Sequence, residues 1–99
     1  GGPNTEFALA LAMHLDGRAG VWALAADTDG LDGNAGAAGA VATPSTMQRA
    51  RAAGLDPELA LRGNDSAAFF ETLGDLVMSG PTCTNVNDFR AIVVLPSAP

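Results

Sequence analysis

Apolar residues recur at helical spacing in the first part of the chain. Phe7, Leu11 and Leu15 lie four residues apart, which places their side chains on one face of a helix. Pro3 suits the first turn of a helix, and Gly17 can adopt the left-handed conformation that ends one. The pattern therefore predicts a helix that begins at Pro3 and stops before Gly17.

Proline, aspartate and glycine divide the middle of the chain into three further helices. Thr43 and Pro44 form a start signal for a helix through residue 53, which Gly54 closes. Asp56 and Pro57 repeat that signal for a helix over residues 56–61. A polar stop then precedes apolar residues, and this predicts a third short helix over residues 65–74.

Three short and almost wholly apolar runs predict strands, at residues 21–26, 76–78 and 91–95. Strands that are apolar on both sides are typical of a sheet with both faces covered, so we expect the first run to take a central position. Trp22, Phe69 and Phe70 are assigned to the core. Because helices and strands alternate, the predicted fold is a small α/β sandwich whose mixed, partly parallel sheet is flanked by helices.

Length and charge favour one acidic domain over residues 1–95, with a frayed tail at residues 96–99. The chain has 99 residues, 5 basic against 11 acidic side chains and a net charge of −6, which disfavours nucleic acid and anionic membranes as partners. Its apolar runs are shorter than the roughly 20 residues that span a bilayer. Cys83 is the only cysteine, which excludes an intrachain disulfide and favours the cytoplasm. The oligomeric state, including a homo-oligomer, stays open.

The segment 27–33 carries the first candidate chemistry. Asp27, Asp29 and Asp32 lie beside glycines, and such oxygen donors suit Mg²⁺ or Ca²⁺. The segment is not an EF-hand, since Asp32 stands where the calcium loop needs glycine and Ala38 where it needs glutamate. A set of Asx turns that stabilises a loop explains the same residues equally well.

The segment 79–88 carries the second candidate chemistry. Its hydroxyl, amide and backbone groups offer neutral donors to a phosphate or carboxylate ligand. A loop that satisfies its own hydrogen bonds is the more common explanation of such a composition. Both acidic and polar segments follow apolar strands, so we expect them at one end of the sheet. His14 and Cys83 have no partner in sequence that would favour metal binding or nucleophilic catalysis.

Six short motifs occur along the chain in a specific order and spacing. They are GGxNxE at 1–6, TDGxDG at 28–33, AGAV at 38–41, RAxxAGLDP at 49–57, NDS at 64–66 and GPTxTNVND at 80–88. In these motifs the chain resembles the MOFRL domain, the carboxyl-terminal domain of type II glycerate kinases, which are also named hydroxypyruvate reductases. The resemblance covers nearly the whole chain.

The resemblance implies a phosphotransferase reaction that needs more than this chain. Family members have a larger α/β domain ahead of the MOFRL domain, with the active site in the cleft between the two. The family transfers the γ-phosphoryl group of ATP to a hydroxyl of D-glycerate, commonly the 2-hydroxyl, and such reactions usually use Mg²⁺. The resemblance thus implies ATP, Mg²⁺ and D-glycerate as ligands of a full-length parent, and no cofactor held tightly by this chain alone.

The resemblance also implies roles for individual residues. Asp29 and Asp32 would hold Mg²⁺ directly or through water, and Asp88 would orient a hydroxyl or a metal-bound water; these three form the expected catalytic set. The expected contacts to substrate or phosphate are Asn4, Glu6, Thr28, Asn64, Asp65, Thr82, Thr84 and Asn85.

Three positions depart from the family pattern, which commonly has arginine at Pro3 and glycine at Asp27 and Cys83. An arginine clamps anions in a way that proline cannot, so the first departure bears on catalysis. Two alternatives to a kinase fragment stay open, the first suggested by the residues and the second implied by the family's other name, hydroxypyruvate reductase. One is a stand-alone binding module for a small phosphorylated or carboxylated ligand. The other, an oxidoreductase, has little support because the chain contains no dinucleotide-binding fingerprint.

Overall fold

Helices pack on one face of a four-stranded antiparallel sheet in the computed structural model, which describes residues 2–33, 36–80, 82 and 88–95. Within these residues the elements are α1 (Pro3–Leu15), β1 (Val21–Asp27), β2 (Gly39–Ala42), α2 (Thr46–Ala52), α3 (Pro57–Arg62), α4 (Ser66–Leu73), β3 (Leu76–Val77) and β4 (Asp88–Val94). The predicted tail at residues 96–99 lies outside this description.

The four strands have the order β3-β2-β1-β4, and every neighbouring pair is antiparallel. The α/β prediction is confirmed, but the expectation of a partly parallel sheet is wrong. A loop joins β1 to β2. Three helices then connect β2 to β3, which pairs with β2 so that Leu76 lies opposite Ala40. None of the described helices therefore makes the crossover that a parallel pair requires. Strand directions alternate, so the connections after β1 and β3 lie at the same end.

Small side chains let α1 pack closely on the sheet. Alanines on β1 and β2 face alanines of α1, and larger side chains from the helices fill the remaining space. We call this set the alanine core. Its members are Ala8, Leu9, Ala12, Ala23, Ala25, Ala40, Ala42, Met47, Ala50, Phe69 and Phe70.

The opposite face of the sheet is apolar and open among the described residues. It includes Trp22, Leu24, Val41, Ala91 and Val93, which line a shallow hollow. The assignment of Trp22 to the core is wrong, since its side chain is 43 % exposed, whereas Phe69 and Phe70 are buried as expected. The prediction of a strand buried on both faces fails for β1 and β4 because the described helices cover only one face.

The four predicted helices are confirmed to within a few residues at each end. Pro3 begins α1, Asp56 caps α3 by accepting a hydrogen bond from the backbone N–H of Leu59, and Gly74 ends α4 in the left-handed conformation. Strand β2 was not predicted. None of the helices in the described part of the chain is long and apolar enough to cross a membrane.

Candidate functional site

The loop after β1 and the connection after β3 meet at one end of the sheet, as predicted. The Thr82 backbone N–H donates to the carbonyl of Asp29 at 3.2 Å, and its hydroxyl donates to the carbonyl of Thr28 at 2.5 Å. Gly30 has a φ of +89°, and a Cβ there would lie 2.0 Å from the carbonyl oxygen of Gly80. Glycine at position 30 therefore allows the two segments to touch.

Asp32 joins the first of these loops to the start of α1. Its carboxylate is fully buried and accepts two backbone N–H groups at 2.8 Å, Asn4 on Oδ1 and Thr5 on Oδ2. A carboxylate at a helix N-terminus is favourable because the unpaired N–H groups and the helix dipole are positive there. Gly2 packs directly on this loop, since a Cβ at position 2 would lie 2.1 Å from the Asp32 carbonyl oxygen.

Asn4 connects α1 to the first residues of β4. It is fully buried, its Nδ2 donates to Asp88 Oδ1 at 2.8 Å, and its Oδ1 accepts from Arg90 Nε at 3.3 Å. The Arg90 guanidinium lies 4.1 Å from the centre of the Phe7 ring, and Arg90 Nη2 is 3.9 Å from Asp88 Oδ2. Asp88 and Arg90 keep about two fifths of their side chains exposed. Asp88 and Arg90 are thus fixed by contacts with α1, and the rest of each side chain is exposed to solvent.

Arg90 is a candidate that the sequence predictions missed. In the sequence, Arg90 is one of five scattered basic residues. The predicted strand begins only at residue 91, whereas the observed β4 begins at Asp88, and residues i and i+2 of a strand face the same side, which puts Arg90 beside Asp88.

A buried hydroxyl pair fixes the start of α4 against the start of α1. Thr5 Oγ1 lies 2.9 Å from Ser66 Oγ and accepts the Gly2 backbone N–H at 3.1 Å. Asn64 and Asp65 come just before this contact, but both are exposed. Asp65 borders a groove between α3 and α4, not the end of the sheet where β1 ends and β4 begins.

The remaining predicted site residues divide into two groups. Glu6 is half-buried in the first turn of α1, and Thr28 is half-buried in the turn after β1. Thr84 and Asn85 lie outside the described residues, as does Cys83. His14 is exposed near the end of α1.

Negative charge gathers where β1 ends. Asp27 is paired in register with Asp88, and partial burial raises the pKa of the Asp27 carboxyl above its ordinary value of 3.8. The charges of Asp29 and Asp88 raise that pKa further, against a lowering by the hydrogen bond from the Asp29 backbone N–H. Asp29 Oδ1 accepts from the Leu31 backbone N–H at 2.9 Å in an Asx turn. This end of the sheet therefore concentrates acidic groups beside Arg90.

A family model matches residues 1–88, which include every described helix and strand except β4 beyond its first residue, and its description is the MOFRL family. The chain belongs to the MOFRL family. The resemblance in the six motifs is thereby confirmed.

Relatives of this MOFRL chain are much longer proteins. The chain is 46% identical over 88 residues to D-glycerate 2-kinase of Thermotoga maritima, covering 89% of the chain and 21% of the relative. It is 54% identical over 94 residues to an Agrobacterium vitis protein whose provisional name is hydroxypyruvate reductase, covering 95% of the chain and 22% of that relative. The crystal structure of a Thermotoga maritima glycerate kinase matches it with a TM-score of 0.92 at 42% identity, over 96% of this chain and 23% of the other. The MOFRL chain thus corresponds to a domain-sized part of a glycerate 2-kinase-like protein.

The contacts of the carboxylates decide which of them can meet a ligand. Both oxygens of Asp32 face backbone N–H groups of α1, whereas Asp29 is half-buried and accepts the Leu31 N–H on Oδ1, and Asp88 is 41 % exposed. Among the described residues, no three or more His, Cys, Asp or Glu side chains are arranged to hold a metal ion. Both oxygens of Asp32 are thus occupied by backbone N–H groups, whereas Asp88 keeps an exposed carboxylate.

Proposed function

We propose that this MOFRL domain supplies one side of an interdomain cleft in a glycerate 2-kinase-like enzyme that phosphorylates D-glycerate with ATP. The observation that carries the proposal is the polar end of the sheet, where the connections after β1 and β3 meet, within a fold that matches a glycerate kinase at a TM-score of 0.92. The remaining part of such an enzyme, nearly four fifths of its length, would supply the opposite side of the cleft. The proposal includes a bacterial source and a cytoplasmic location.

Phosphoryl transfer depends on positioning and on stabilising negative charge. Mg²⁺, when bound, would neutralise phosphate oxygens, and Asp29 and Asp88 are the residues of this chain that would hold it. The exposed side of Asp88 would also accept a hydrogen bond from a substrate hydroxyl. Asp27 adds a further carboxylate to this region, and its pKa is raised by partial burial first and then by the charges of Asp29 and Asp88.

Arg90 extends the proposal with a group that can bind an anion. Arg49 pairs with Asp75 and Arg51 with Asp16, whereas Arg90 lies at the polar end of the sheet. Its guanidinium is stacked on the Phe7 ring, and 40 % of the Arg90 side chain is exposed. We propose that it binds the carboxylate of D-glycerate or a phosphate oxygen, since a planar guanidinium matches both.

The other contacts implied by the family resemblance stay proposals of lesser weight. Glu6, Thr28 and Thr82 lie on α1 or on the two adjoining segments, which is consistent with a role at the cleft. Asn64 and Asp65 are exposed just before α4. They would contact a ligand only if the opposite domain extends the cleft as far as α4. Thr84 and Asn85 complete the set.

Enzyme assays on the isolated chain and on its longer parent test the shared cleft. We expect the parent to form phosphoglycerate from ATP and D-glycerate and the 99-residue chain to form none, because half of the cleft is missing. The control is the same assay with Asp29→Ala in the parent. Phosphoglycerate formed by the purified chain alone would contradict the shared cleft. Binding of glycerate or phosphate to a chain that has no longer parent would favour the stand-alone module, and reduction of hydroxypyruvate by NADH would favour the reductase.

A further inference from the structure

Asp32 has the contacts of a structural anchor at the centre of the candidate site. Its carboxylate is fully buried, and each oxygen accepts one backbone N–H of α1 at 2.8 Å. A carboxylate that is satisfied in this way directs its charge into the helix terminus rather than into the cleft. The role of Asp32 therefore depends on the residues that its carboxylate positions.

Asp32 holds the residue whose side chain reaches the exposed part of the site. The backbone of Asn4 binds Asp32, while the Asn4 amide donates to Asp88 and accepts from Arg90. The amide is oriented to suit both charges, since its N–H group meets the carboxylate and its oxygen meets the guanidinium. One chain of hydrogen bonds therefore runs from the loop after β1, through the start of α1, to β4.

We infer that Asp32 is a positioning residue that sets Asp88 and Arg90 in place through Asn4, without contacting metal or substrate. This inference rests on the proposed function for its consequence in catalysis, but its structural part does not. If the Asp32 carboxylate is lost, two N–H groups at the start of α1 lose a charged acceptor. The first turn of α1 then loosens, and Asn4 loses the fixed position from which it bridges Asp88 and Arg90.

Amide exchange and NMR signals of the chain test the structural part. In Asp32→Asn, hydrogen exchange at the Asn4 side-chain amide should rise at least about tenfold, because the first turn of α1 loses the charged acceptor that fixes Asn4. The carboxyl carbon signal of Asp88 should shift in the same variant. Asp56→Asn is the matched control, since Asp56 also accepts a helix N–H, from Leu59 at 3.2 Å, but on α3. It should leave the Asn4 and Asp88 signals unchanged.

A second variant keeps the inference testable if Asp32→Asn fails to fold. Asn4→Ala removes the bridging amide but keeps the backbone N–H groups that Asp32 accepts, so it should shift the Asp88 signal while residues 4 and 5 stay protected from exchange. An Asp88 signal that is unchanged in Asn4→Ala, or an Asn4 amide that is unchanged in a folded Asp32→Asn, would overturn the inference.

Kinetics of the parent test whether Asp32 acts through Asn4. We expect Asp32→Asn to lower kcat about tenfold or more through misplacement of Asp88 and Arg90, and to add little to the loss already caused by Asn4→Ala, because both variants break the same bridge. Losses in kcat that multiply in the Asp32→Asn/Asn4→Ala double variant would show that Asp32 acts independently of Asn4 and overturn the inference. A wild-type parent without kinase activity would contradict the proposed function alone, because the NMR arm would still decide the role of Asp32.

Discussion

Two regions of this domain are equally hidden from water but are held together by different forces. The alanine core joins α1 to the sheet through small apolar side chains, and Phe70 at its centre is fully buried. The second region, which we call the polar cluster, is formed by Asn4, Thr5, Asp32 and Ser66, each also fully buried. No buried side-chain nitrogen or oxygen in the described part of the chain lacks a hydrogen-bond partner.

This difference separates folding from positioning. Apolar packing has no preferred direction, so the core needs the right volume and tolerates exchange among apolar residues of similar size. Each hydrogen bond in the polar cluster needs a partner at a fixed place, because an unpaired buried polar group is costly. The core therefore stabilises the fold, and the polar cluster fixes the start of α1 relative to the loop after β1 and to β4.

The largest expected loss of stability comes from opening the alanine core. Phe70→Ala should lower the free energy of unfolding by about 3–5 kcal/mol, because the surrounding side chains cannot fill the space left by the ring. Phe69, whose ring packs edge-on at 5.3 Å, would lose its main aromatic contact. The measurement is urea unfolding of the purified chain. Since a small domain has a total stability of about 5–15 kcal/mol, the variant will be only marginally folded.

Phe89→Ala is the matched control for this prediction. Phe89 is 53 % exposed on β4, so its removal should cost about 1 kcal/mol, which is roughly half of the free energy of burying the side chain, with no cavity left behind. Equal losses for the two variants would mean that the sheet face without helices is as well packed as the alanine core, which contradicts the comparison.

A smaller loss is expected when the polar cluster loses one hydroxyl and keeps its shape. Thr5→Val should destabilise the chain by about 1–3 kcal/mol, because the Gly2 N–H and the Ser66 hydroxyl lose a partner in a buried place. Thr72→Val is the control, since the exposed Thr72 hydroxyl only donates to Ala68 within its own helix, and its effect should stay within about 0.5 kcal/mol. A Thr5→Val variant as stable as its control would show that packing alone holds this cluster.

The helices were predictable because their signals are local. A proline at the first turn, an aspartate cap and a terminal glycine act within a few residues, as at Pro57 and Gly74. Strand β2 was missed because Gly39–Ala42 has no β-branched pattern except Val41 and becomes a strand through its pairing with β1. Strand direction also depends on distant segments, so the parallel assignment failed while the shared end of the two loops was predicted correctly.

The candidate site was predictable in composition but not in contacts. The carboxylates at positions 27–32 were recognised as a cluster from sequence alone. What distinguishes Asp32 from Asp29 is its hydrogen bond to Asn4 in the first turn of α1, 28 residues earlier, and no local pattern encodes that. For the same reason the bridge from Asn4 to Asp88 and Arg90, across more than 80 residues of chain, was not foreseen.

Asp29 lies next to the polar cluster but outside it, and its substitution should affect turnover more than stability. Asp29→Ala in the parent should lower turnover at least about tenfold, equal to about 1.4 kcal/mol of transition-state stabilisation. Stability should fall by no more than about 1 kcal/mol, the contribution of its Asx turn to Leu31. Both quantities are measured on one preparation.

Asp29→Asn distinguishes the charge of this residue from its turn. The amide oxygen can still accept the Leu31 N–H, so stability should be close to wild type while turnover stays low. Normal turnover in Asp29→Asn, together with a clear loss of stability in Asp29→Ala, would assign this residue to the scaffold rather than to the site.

The smallest expected effect concerns the crowded carboxylates where β1 ends, and it has the opposite sign. The raised pKa of Asp27 means that the folded state holds its proton more tightly than the unfolded state, so wild-type stability falls as pH rises from 3.8 through the folded-state pKa. Asp27→Asn cannot ionise and still offers an oxygen to the Asp29 N–H. Its Tm should therefore exceed that of the wild type at pH 7, and the difference should vanish below pH 3.8. Thermal unfolding of both proteins across this range measures it. A difference that stays constant with pH would show that Asp27 acts through packing, and that the polar end of the sheet carries less electrostatic strain than its three neighbouring carboxylates indicate.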